Sequence, residues 1–190
     1  MKKQKRTLKD LNIDKSWTLF LDRDGVINKK IENDYVRSWK QFEFLPGVLD
    51  ALKTLSSIFG RIIIVTNQRG IGRGLMTRED LENIHKTMLD IFKKNRIKVD
   101  AIYYCPHNYE NEKCHCRKPD IGMAIEAKKD FPDIDFFKSV MVGDSISDME
   151  FGNRLNMYTV FIGKDKPILA DVKFNSLPEF TEYLVKNLPF

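Results

Sequence analysis

Residues 17–25 read Trp-Thr-Leu-Phe-Leu-Asp-Arg-Asp-Gly, an apolar run that ends in two acids separated by one residue. A run that is almost continuous in apolar and β-branched residues is typical of a strand buried on both faces. The carboxyl groups of Asp22 and Asp24, directly after such a strand, can act as a nucleophile and as an acid or base. Asp-x-Asp-Gly by itself also fits an ordinary turn, so its meaning depends on the rest of the chain.

Similar apolar runs recur along the chain, and helical patterns separate them. The strand candidates are Trp17–Asp22, Ile62–Thr66, Ala101–Cys105, Val140–Asp144 and Thr159–Ile162. The helix candidates are Val48–Phe59, Arg78–Asn95, Ile121–Asp130, Ser147–Leu155 and Pro178–Lys186. Thr77 is expected to cap the second of these helices, with Asp80 three residues on. This alternation predicts an α/β fold with three layers, Rossmann-like, in which helices cover both faces of a mainly parallel sheet.

The length and charge of the chain limit its organisation. A chain of 190 residues with 42% hydrophobic and 31% charged residues has an ordinary globular composition. The net charge of +5 originates at the N-terminus: five of the 32 basic residues lie in residues 1–9, and the other 27 match the 27 acidic residues. We therefore expect a basic, solvated tail over residues 1–15, a single domain over residues 16–190, and no nucleic-acid partner.

Neither a membrane span nor a signal peptide is evident. No run approaches the roughly 18 apolar residues of a span, and no apolar segment follows the N-terminal charges. We expect a cytoplasmic protein without membrane association, and a monomer. In a reducing compartment the three cysteines, Cys105, Cys114 and Cys116, are expected as metal ligands or free thiols rather than in a disulfide.

Residues with suitable chemistry follow three further strand candidates. Thr66 ends the second strand, and the glycine-rich segment Arg69–Gly74 that follows can hold phosphoryl oxygens on its backbone amides. Lys118, after the third strand, can neutralise charge on a phosphoryl group in transit. Asp144 ends the fourth strand with Asp148 four residues on, and clustered carboxylates suit Mg²⁺. Because ligands bind beyond the carboxyl ends of such strands, these residues are predicted to converge on one site.

Each feature alone also fits a turn, a flexible loop or a surface residue, but their order at successive strand ends is specific. Together they resemble the four motifs of the haloacid dehalogenase (HAD) superfamily of phosphohydrolases: Asp-x-Asp, Thr or Ser, Lys, and Gly-Asp-x-x-x-Asp. The resemblance runs from Trp17 to Gly163 and implies the HAD fold. A helix, a strand and a cysteine-rich loop fill the 52 positions from Thr66 to Lys118, so we expect no separate cap domain.

The resemblance implies a role for each motif residue. Asp22 would attack phosphorus and form an aspartyl-phosphate, while Asp24 would protonate the leaving oxygen and then activate water. Asp24 must then start protonated beside an ionised Asp22, which requires different environments for the two carboxyls. Thr66 and Lys118 would stabilise the transferring group. Mg²⁺ would bind the Asp22 carboxylate, the Asp24 carbonyl oxygen and Asp144, with Asp148 orienting the metal ligands or Lys118.

The segments Cys105–His107 and Cys114–Cys116 predict a second metal site. Three thiols and one imidazole can form a closed tetrahedral Zn²⁺ site of the structural kind. The expected ligands are Cys105, His107, Cys114 and Cys116. His115 could replace His107 as the nitrogen ligand. The other alternative is that the thiols are buried and bind no metal. Because the second segment directly precedes Arg117 and Lys118, a zinc ion there would also fix these two cations.

The zinc loop and the Asp-Arg-Asp-Gly motif resemble a narrower family, that of the heptose 1,7-bisphosphate 7-phosphatases and the histidinol-phosphate phosphatases. The run Gly70–Gly74 favours the heptose branch. This resemblance implies a Mg²⁺-dependent phosphatase that removes the 7-phosphate of D-glycero-D-manno-heptose 1,7-bisphosphate during synthesis of nucleotide-activated heptose. The residues expected to contact this sugar bisphosphate are Asn33, Asp34, Tyr35, Thr66, Asn67, Gln68, Arg69, Arg117 and Lys118.

Three alternatives remain open at this point. A histidinol-phosphate phosphatase agrees with the short zinc loop and with Ser145, which stands where heptose phosphatases often carry Lys. A polynucleotide 3′-phosphatase agrees with the segment Thr66–Gly74 and the basic tail, but not with the zinc loop or with the charge balance outside the tail. A catalytically silent zinc-stabilised binding module is disfavoured, because every motif residue is present. The loop after Asn28 is also slightly longer than in the family.

Overall fold

The protein forms an α/β fold around one parallel sheet. The computed structural model describes residues 7–164 and 169–188. Six strands pair in the order β3-β2-β1-β4-β5-β6, and every pairing is parallel. The strands are β1 (Thr18–Leu21), β2 (Arg61–Asn67), β3 (Ala101–Cys105), β4 (Ser139–Gly143), β5 (Tyr158–Ile162) and β6 (Val172–Phe174). The predicted Rossmann-like parallel sheet is confirmed.

Helices cover both faces of this sheet. They are α1 (Val48–Ile58), α2 (Arg69–Gly72), α3 (Arg78–Lys94), α4 (Gly122–Asp130), α5 (Ile146–Arg154) and α6 (Leu177–Asn187). The apolar faces of α1, α3 and α6 pack in one core, and those of α4 and α5 pack in the other. The strands supply alternate side chains to the two cores: Leu19 and Leu21 face one, and Phe20 faces the other. This explains why the strand sequences are continuously apolar.

The strand register brings the motif residues to one edge of the sheet. Leu21 pairs with Ile64 of β2 and with Val142 of β4, and the Asp22 N–H donates to the Val142 carbonyl oxygen at 2.9 Å. Asp22, the end of β2 and Asp144 therefore all lie at the carboxyl edge of the sheet, as parallel pairing requires.

The segment before β1 differs from the predicted solvated tail. Leu8, Leu11 and Ile13 are 4%, 7% and 6% exposed and belong to the core on the α1 side. A short 3₁₀ helix, Leu8–Leu11, turns the first two toward the protein. Burial of three apolar side chains outweighs the solvation of the neighbouring charges, so residues 7–15 pack on the domain. The strongly basic residues 1–6 lie outside the described residues.

The long connection between β1 and α1 is held by aromatic packing. Trp39 stacks on Phe42 with ring centroids 4.7 Å apart, and Phe44 meets Phe42 edge-on at 5.0 Å and Phe92 of α3 at 5.9 Å. Between Thr66 and Lys118 the chain contains only α2, α3, β3 and the cysteine-rich loop, so no cap domain is inserted there. In the described ranges, none of the helices combines the length and apolar character required to cross a bilayer.

Candidate active site

A cavity of about 210 Å³ opens at the carboxyl edge of the sheet. Its lining residues are Asp22, Asp24, Lys30, Thr66, Asn67, Arg117, Lys118, Asp144, Ser145 and Ser147. All four motifs of the sequence therefore meet in one cavity, although their residues are far apart along the chain. The cavity contains both the carboxylates that could react or bind metal and the cations that could bind a phosphoryl group.

The Asp22 carboxylate lies at the base of this cavity. Its Oδ1 accepts from the Arg23 backbone N–H at 2.7 Å and lies 2.9 Å from Lys118 Nζ. Within the described part of the chain no donor contacts Oδ2, so this oxygen is free to attack phosphorus. Burial raises the pKa of Asp22 to about 7, against the opposing effect of Lys118. A cation bound at the carboxylate would keep it ionised.

Lys118 is buried and bonded to three acceptors. Its Nζ lies 2.9 Å from Asp22 Oδ1, 2.6 Å from Asp148 Oδ1 and 2.7 Å from the Val65 carbonyl oxygen. Asn67 fixes the backbone of the same residue, because its side-chain amide accepts from the Lys118 N–H at 3.0 Å and donates to the Lys118 carbonyl at 3.1 Å. Although burial opposes it, Asp148 and Asp22 raise the pKa of Lys118, so the ammonium is maintained beside the Asp22 carboxylate.

Asp144 lies in the loop after β4, and Asp148 lies in the first turn of α5. Ser145 caps α5, and both its N–H and its hydroxyl donate to Asp148 Oδ2, at 3.0 and 2.6 Å. A Cβ on Gly143 would lie 2.2 Å from the Asp148 Cβ, and a Cβ on Gly25 (φ +90) would lie 2.2 Å from Asp144 Oδ2. Both glycines are therefore required for the two carboxylates to approach the end of β1.

Asp24 differs from its predicted starting state. Arg23 Nη2 contacts both of its carboxylate oxygens at 2.9 Å, Asn28 donates to Oδ1 at 2.9 Å, and Gln68 donates to Oδ2 at 2.8 Å. Although burial opposes it, Arg23 lowers the pKa of Asp24, as do these amide hydrogen bonds. The resemblance implied a protonated Asp24. The structure instead favours the carboxylate, because every neighbouring donor stabilises the charged form.

Gln68 and Asn67 were expected to contact the substrate, but their side chains are hydrogen-bonded to other residues of the site. Gln68 is 1% exposed and bridges Asp24 to the Thr66 hydroxyl, to which it donates at 2.8 Å. Asn67 lines the cavity, but its amide is bonded to the backbone of Lys118. Both side chains therefore hold other residues of the cavity in place. Thr66 Oγ1, which accepts from Gln68, keeps its proton available for an oxygen in the cavity.

Arg117 is the cation most open to a bound anion. Its guanidinium carbon lies 4.7 Å from the centroid of the Tyr109 ring, and its Nη1 is buried without a hydrogen-bond partner among the described residues. Tyr109 also stacks on Arg69, whose guanidinium carbon lies 4.2 Å from the ring centroid. Arg69 in turn donates to the Asn108 side chain at 2.8 Å and pairs with Glu110 at 2.5 Å. Thus Arg69 holds the loop, and Arg117 faces the cavity.

The three residues expected to close one side of the pocket do not line it. Asn33 adopts a left-handed conformation (φ 57) and is exposed. Asp34 pairs with Arg37, and the Tyr35 ring lies against Gly70, where a Cβ would meet it at 3.0 Å. Lys30, earlier in the same loop, reaches the cavity instead, because its longer side chain extends to Asp144 Oδ2 at 3.0 Å.

The acidic group has the chemistry of a divalent cation site. One carboxylate oxygen each from Asp22, Asp144 and Asp148 lies within 4.8 Å of the others. Asp144 Oδ1 is buried and has no hydrogen-bond partner among the described residues, and burial raises the pKa of Asp144. Closely spaced oxygen ligands with unbalanced negative charge are what Mg²⁺ prefers. These residues fit the ion that the motifs imply.

The cysteine cluster fits a tetrahedral zinc site. Cys105 Sγ lies 3.6 Å from Cys114 Sγ and 3.6 Å from His107 Nδ1, and Cys116 Sγ lies 3.1 Å from His107 Nδ1. Ligands bound at about 2.3 Å around a tetrahedral ion are separated by about 3.8 Å, close to these distances. The alternative ligand, His115, is exposed and lies outside the group of four.

Sequence reasoning missed two buried residues behind Asp24. Arg23 is fully buried, and its Nη1 lies 3.1 Å from Nε2 of His85 on α3. Because Arg23 donates, the imidazole accepts at Nε2 and is neutral. The Asp-Arg-Asp spacing offered a signal for Arg23, since it carries a cation between two acids. No local pattern marks His85, which meets Arg23 only through the packing of α3.

His85 makes the stability of the protein sensitive to acid. Burial lowers the pKa of His85 to about 3, helped by the charge of Arg23. The unfolded chain takes up a proton near pH 6.5 and the folded protein does not, so stability falls as the pH drops below 6.5. We expect this one group to lower the unfolding free energy by about 2 kcal/mol between pH 7 and pH 5, whereas Asp22, whose pKa burial raises to about 7, changes it in the opposite direction. In His85→Gln this loss is expected to disappear, as measured by urea unfolding at both pH values.

The matched control for this prediction is His115→Gln, which removes an exposed imidazole. It should leave the pH dependence of the unfolding free energy as in the wild type. The assignment is wrong if His85→Gln retains the wild-type difference between pH 7 and pH 5.

Comparisons with known proteins agree with this geometry. The family model described as polynucleotide kinase 3 phosphatase matches residues 17–174. A Mycobacterium bovis protein named D-glycero-alpha-D-manno-heptose-1,7-bisphosphate 7-phosphatase is 41% identical over 170 residues, 86% of this chain and 89% of that protein. A Vibrio cholerae protein named as the corresponding beta-heptose phosphatase is 38% identical over 181 residues, 88% of this chain and 96% of that protein.

A solved structure shares the fold as well. The crystal structure of D,D-heptose 1.7-bisphosphate phosphatase from B. bronchiseptica, complexed with magnesium and phosphate, superposes with a TM-score of 0.80 at 28% identity. The match covers 90% of this chain and 98% of that chain. The sheet and the helical layers of this chain are therefore shared with that phosphatase.

Proposed function

Since this chain belongs to the HAD phosphatases, in the family of the polynucleotide kinase 3 phosphatase model and of the heptose-1,7-bisphosphate 7-phosphatases, we propose that it removes the 7-phosphate of D-glycero-D-manno-heptose 1,7-bisphosphate. The observation that carries this proposal is the cavity in which the Asp22 carboxylate faces the same space as Thr66, Arg117 and Lys118. A nucleophile beside a hydroxyl and two cations is suited to phosphoryl transfer.

The reaction follows from the contacts of these residues. Asp22 Oδ2 attacks phosphorus, the ester oxygen leaves, and the phosphoryl group remains on the Asp22 carboxyl until water displaces it. Lys118, fixed by Asn67 and Asp148, holds Asp22 in place and faces the negative charge of the transferring group. The Thr66 hydroxyl donates to one of the phosphoryl oxygens.

Proton transfer is the role proposed for Asp24. Its carboxylate lines the cavity at 22% side-chain exposure, within reach of the leaving oxygen and of the attacking water. As a carboxylate, it is ready to accept a proton from the water that hydrolyses the aspartyl-phosphate. To donate a proton to the leaving group it must first be protonated against the effect of Arg23, so the first step depends on a substrate that weakens this contact.

The residues proposed to hold Mg²⁺ are Asp22 and Asp144 through their carboxylates and Asp24 through its carbonyl oxygen. Bound there, the ion would neutralise and orient the phosphoryl oxygens. Asp148 is bonded to Lys118 and to Ser145, so it supports this site indirectly by fixing the lysine. The magnesium in the B. bronchiseptica phosphatase structure supports this proposal.

A second cavity offers room for the rest of a sugar bisphosphate. It measures about 620 Å³. Arg117, Lys118 and Ser147 line both this cavity and the smaller cavity that contains Asp22, which we call the reactive cavity. Its other cation is Lys113, and Tyr109 forms part of its wall. A phosphate monoester with a second anionic group can therefore react in the small cavity while Arg117, with its unpaired Nη1, binds the phosphate that stays.

The substrate is tested by the release of phosphate from a panel of esters. The panel contains both anomers of the heptose bisphosphate, fructose 1,6-bisphosphate, histidinol phosphate and a 3′-phosphorylated oligonucleotide. We expect the highest kcat/KM for a heptose bisphosphate, with phosphorus NMR showing loss of the 7-phosphate and retention of the 1-phosphate. A higher kcat/KM for histidinol phosphate or for the oligonucleotide would contradict the proposed substrate and support the corresponding alternative.

Zinc in the cysteine cluster is proposed to be structural. We expect about one zinc ion per chain by elemental analysis, because four ligands close the coordination shell. His107→Ala should lose this zinc and lower the melting temperature, whereas His115→Ala, the matched control, should keep both. Because Cys116 directly precedes Arg117, zinc removal should also raise KM. Zinc loss in the His115 variant and retention in the His107 variant would refute the ligand set.

A further inference from the structure

Lys30 is a cation of the reactive cavity that no motif accounts for. It lies in the loop after β1, and its Nζ is 3.0 Å from Asp144 Oδ2. The side chain of Lys30 is 57% exposed, whereas that of Asp144 is 16% exposed. The ammonium therefore contacts a largely buried acid, while the flexible stem stays in solvent and is free to turn.

The acid that Lys30 contacts is one of the proposed metal ligands. A divalent cation bound by Asp144 and Asp22 would face the Lys30 ammonium across a single carboxylate. Two cations this close repel each other strongly in a partly buried site. Metal binding at Asp144 therefore requires the ammonium to move away, and breaking this ion pair weakens the affinity for the metal.

The displaced ammonium has a second acceptor within the same cavity. Lys30 lines the same cavity as Thr66, Arg117 and Lys118, where the phosphoryl oxygens are proposed to bind. In the structure three carboxylates, those of Asp22, Asp144 and Asp148, face two ammonium groups, Lys30 and Lys118. The net charge of these five groups is therefore negative. A bound divalent cation makes the net charge positive and so favours the binding of a phosphate dianion.

We propose that Lys30 competes with the divalent cation for Asp144 and, once displaced, binds the phosphate, so that metal and phosphate bind cooperatively. The inference rests on the proposed function, because it takes the metal and phosphate sites from it. Cooperativity of this kind is reciprocal: phosphate must tighten metal binding by the factor by which metal tightens phosphate binding. The chain would thereby hold its metal firmly only when a phosphate is present.

The test measures Mg²⁺ and inorganic phosphate binding by calorimetry in the wild type and in Lys30→Met, which keeps the apolar stem. Without phosphate, the variant should bind Mg²⁺ about threefold to tenfold more tightly, because the ion pair no longer competes. With Mg²⁺ saturating, it should bind phosphate more weakly by a similar factor. A damaged fold would weaken the binding of both Mg²⁺ and phosphate. Tighter Mg²⁺ binding together with weaker phosphate binding therefore identifies the proposed role.

Lys29→Met is the matched control. Lys29 precedes Lys30, carries the same charge, and pairs with Glu43 at the surface at 3.5 Å, where both side chains are about two-thirds exposed. Lys29→Met should leave the dissociation constants of Mg²⁺ and of phosphate unchanged. Equal Mg²⁺ affinity in Lys30→Met and the wild type, or an unchanged effect of phosphate on that affinity, would overturn the inference.

Asp144→Asn separates this inference from the proposed function. If the wild type binds Mg²⁺ and Asp144→Asn does not, the metal site of the proposed function holds, and the Lys30 result decides the inference alone. If Asp144→Asn binds Mg²⁺ as tightly as the wild type, the proposed metal site itself is wrong, and the inference is overturned with it.

Discussion

Asp22→Asn is expected to lower kcat by about ten-thousandfold or more, because an amide cannot form the phosphorylated intermediate. The side chain keeps its size and its place at the end of β1, so substrate binding should change much less than turnover. Burial raises the pKa of Asp22 to about 7, and replacement by a neutral amide removes a buried charge. We therefore expect the free energy of unfolding at pH 8, without metal, to stay equal or to rise.

The control for this variant is Asp133→Asn. Asp133 pairs with Arg61 at 2.9 Å, and its side chain is 71% exposed, so its loss should change neither kcat nor zinc content. Turnover is measured by phosphate release, and the fold by circular dichroism and elemental analysis. Activity of Asp22→Asn within tenfold of the wild type would exclude Asp22 as the nucleophile.

Lys118→Met is expected to affect both catalysis and stability. Loss of the ammonium removes the cation beside the transferring phosphoryl group, and kcat should fall by about a thousandfold. It also leaves Asp22 and Asp148 as buried acids without their partner, which should cost about 3 kcal/mol of unfolding free energy at pH 7. Kinetics and urea unfolding measure the two effects.

Two further variants separate these effects. Asp148→Asn combined with Lys118→Met should recover part of the stability, since one buried charge is gone, but none of the turnover. Lys129→Met, which removes an exposed lysine of α4, should change neither. If Lys118→Met retains wild-type kcat while losing stability, the lysine has only a structural role and its catalytic assignment is wrong.

The main elements of the fold are readable from local sequence patterns. Continuous apolar runs marked five strands within one or two residues, and the expected cap of α3 is present: Thr77 Oγ1 accepts from the Asp80 N–H at 3.0 Å. Among the α-helices and strands of the described residues, one helix and one strand were missed, and both are short. Helix α2 has four residues and two glycines, and β6 has three residues at the sheet edge, so neither is long enough to show a period.

The predicted convergence of the motif residues at one edge of the sheet has a topological reason. In a parallel sheet, residues that end consecutive strands meet at one edge whatever their separation in sequence, so Asp22, Thr66 and Asp144 needed only the correct strands. Contacts made by long side chains and by loops do not follow from this rule. Lys30 reaches Asp144 from a loop, while the nearby segment expected to close the pocket packs elsewhere.

The protonation of Asp24 shows a second limit of the sequence. The roles implied by the resemblance required an ionised Asp22 and a protonated Asp24, whereas the environments in the structure favour the reverse. Burial makes Asp22 the acid with the raised pKa, while Arg23, Asn28 and Gln68 hold Asp24 as a carboxylate. These donors come from three positions along the chain and converge only in the fold, so spacing alone does not identify them.

The central claim, that the phosphoryl group passes through Asp22, is tested most directly by trapping the intermediate. A single turnover with excess enzyme and Mg²⁺ is quenched in acid within milliseconds, and the peptides are analysed by mass spectrometry. The account predicts a phosphoryl group on the carboxyl of Asp22, absent from Asp22→Asn treated in parallel. Full conversion of the substrate with no peptide phosphorylated at any time, or with the label on another residue, would contradict it.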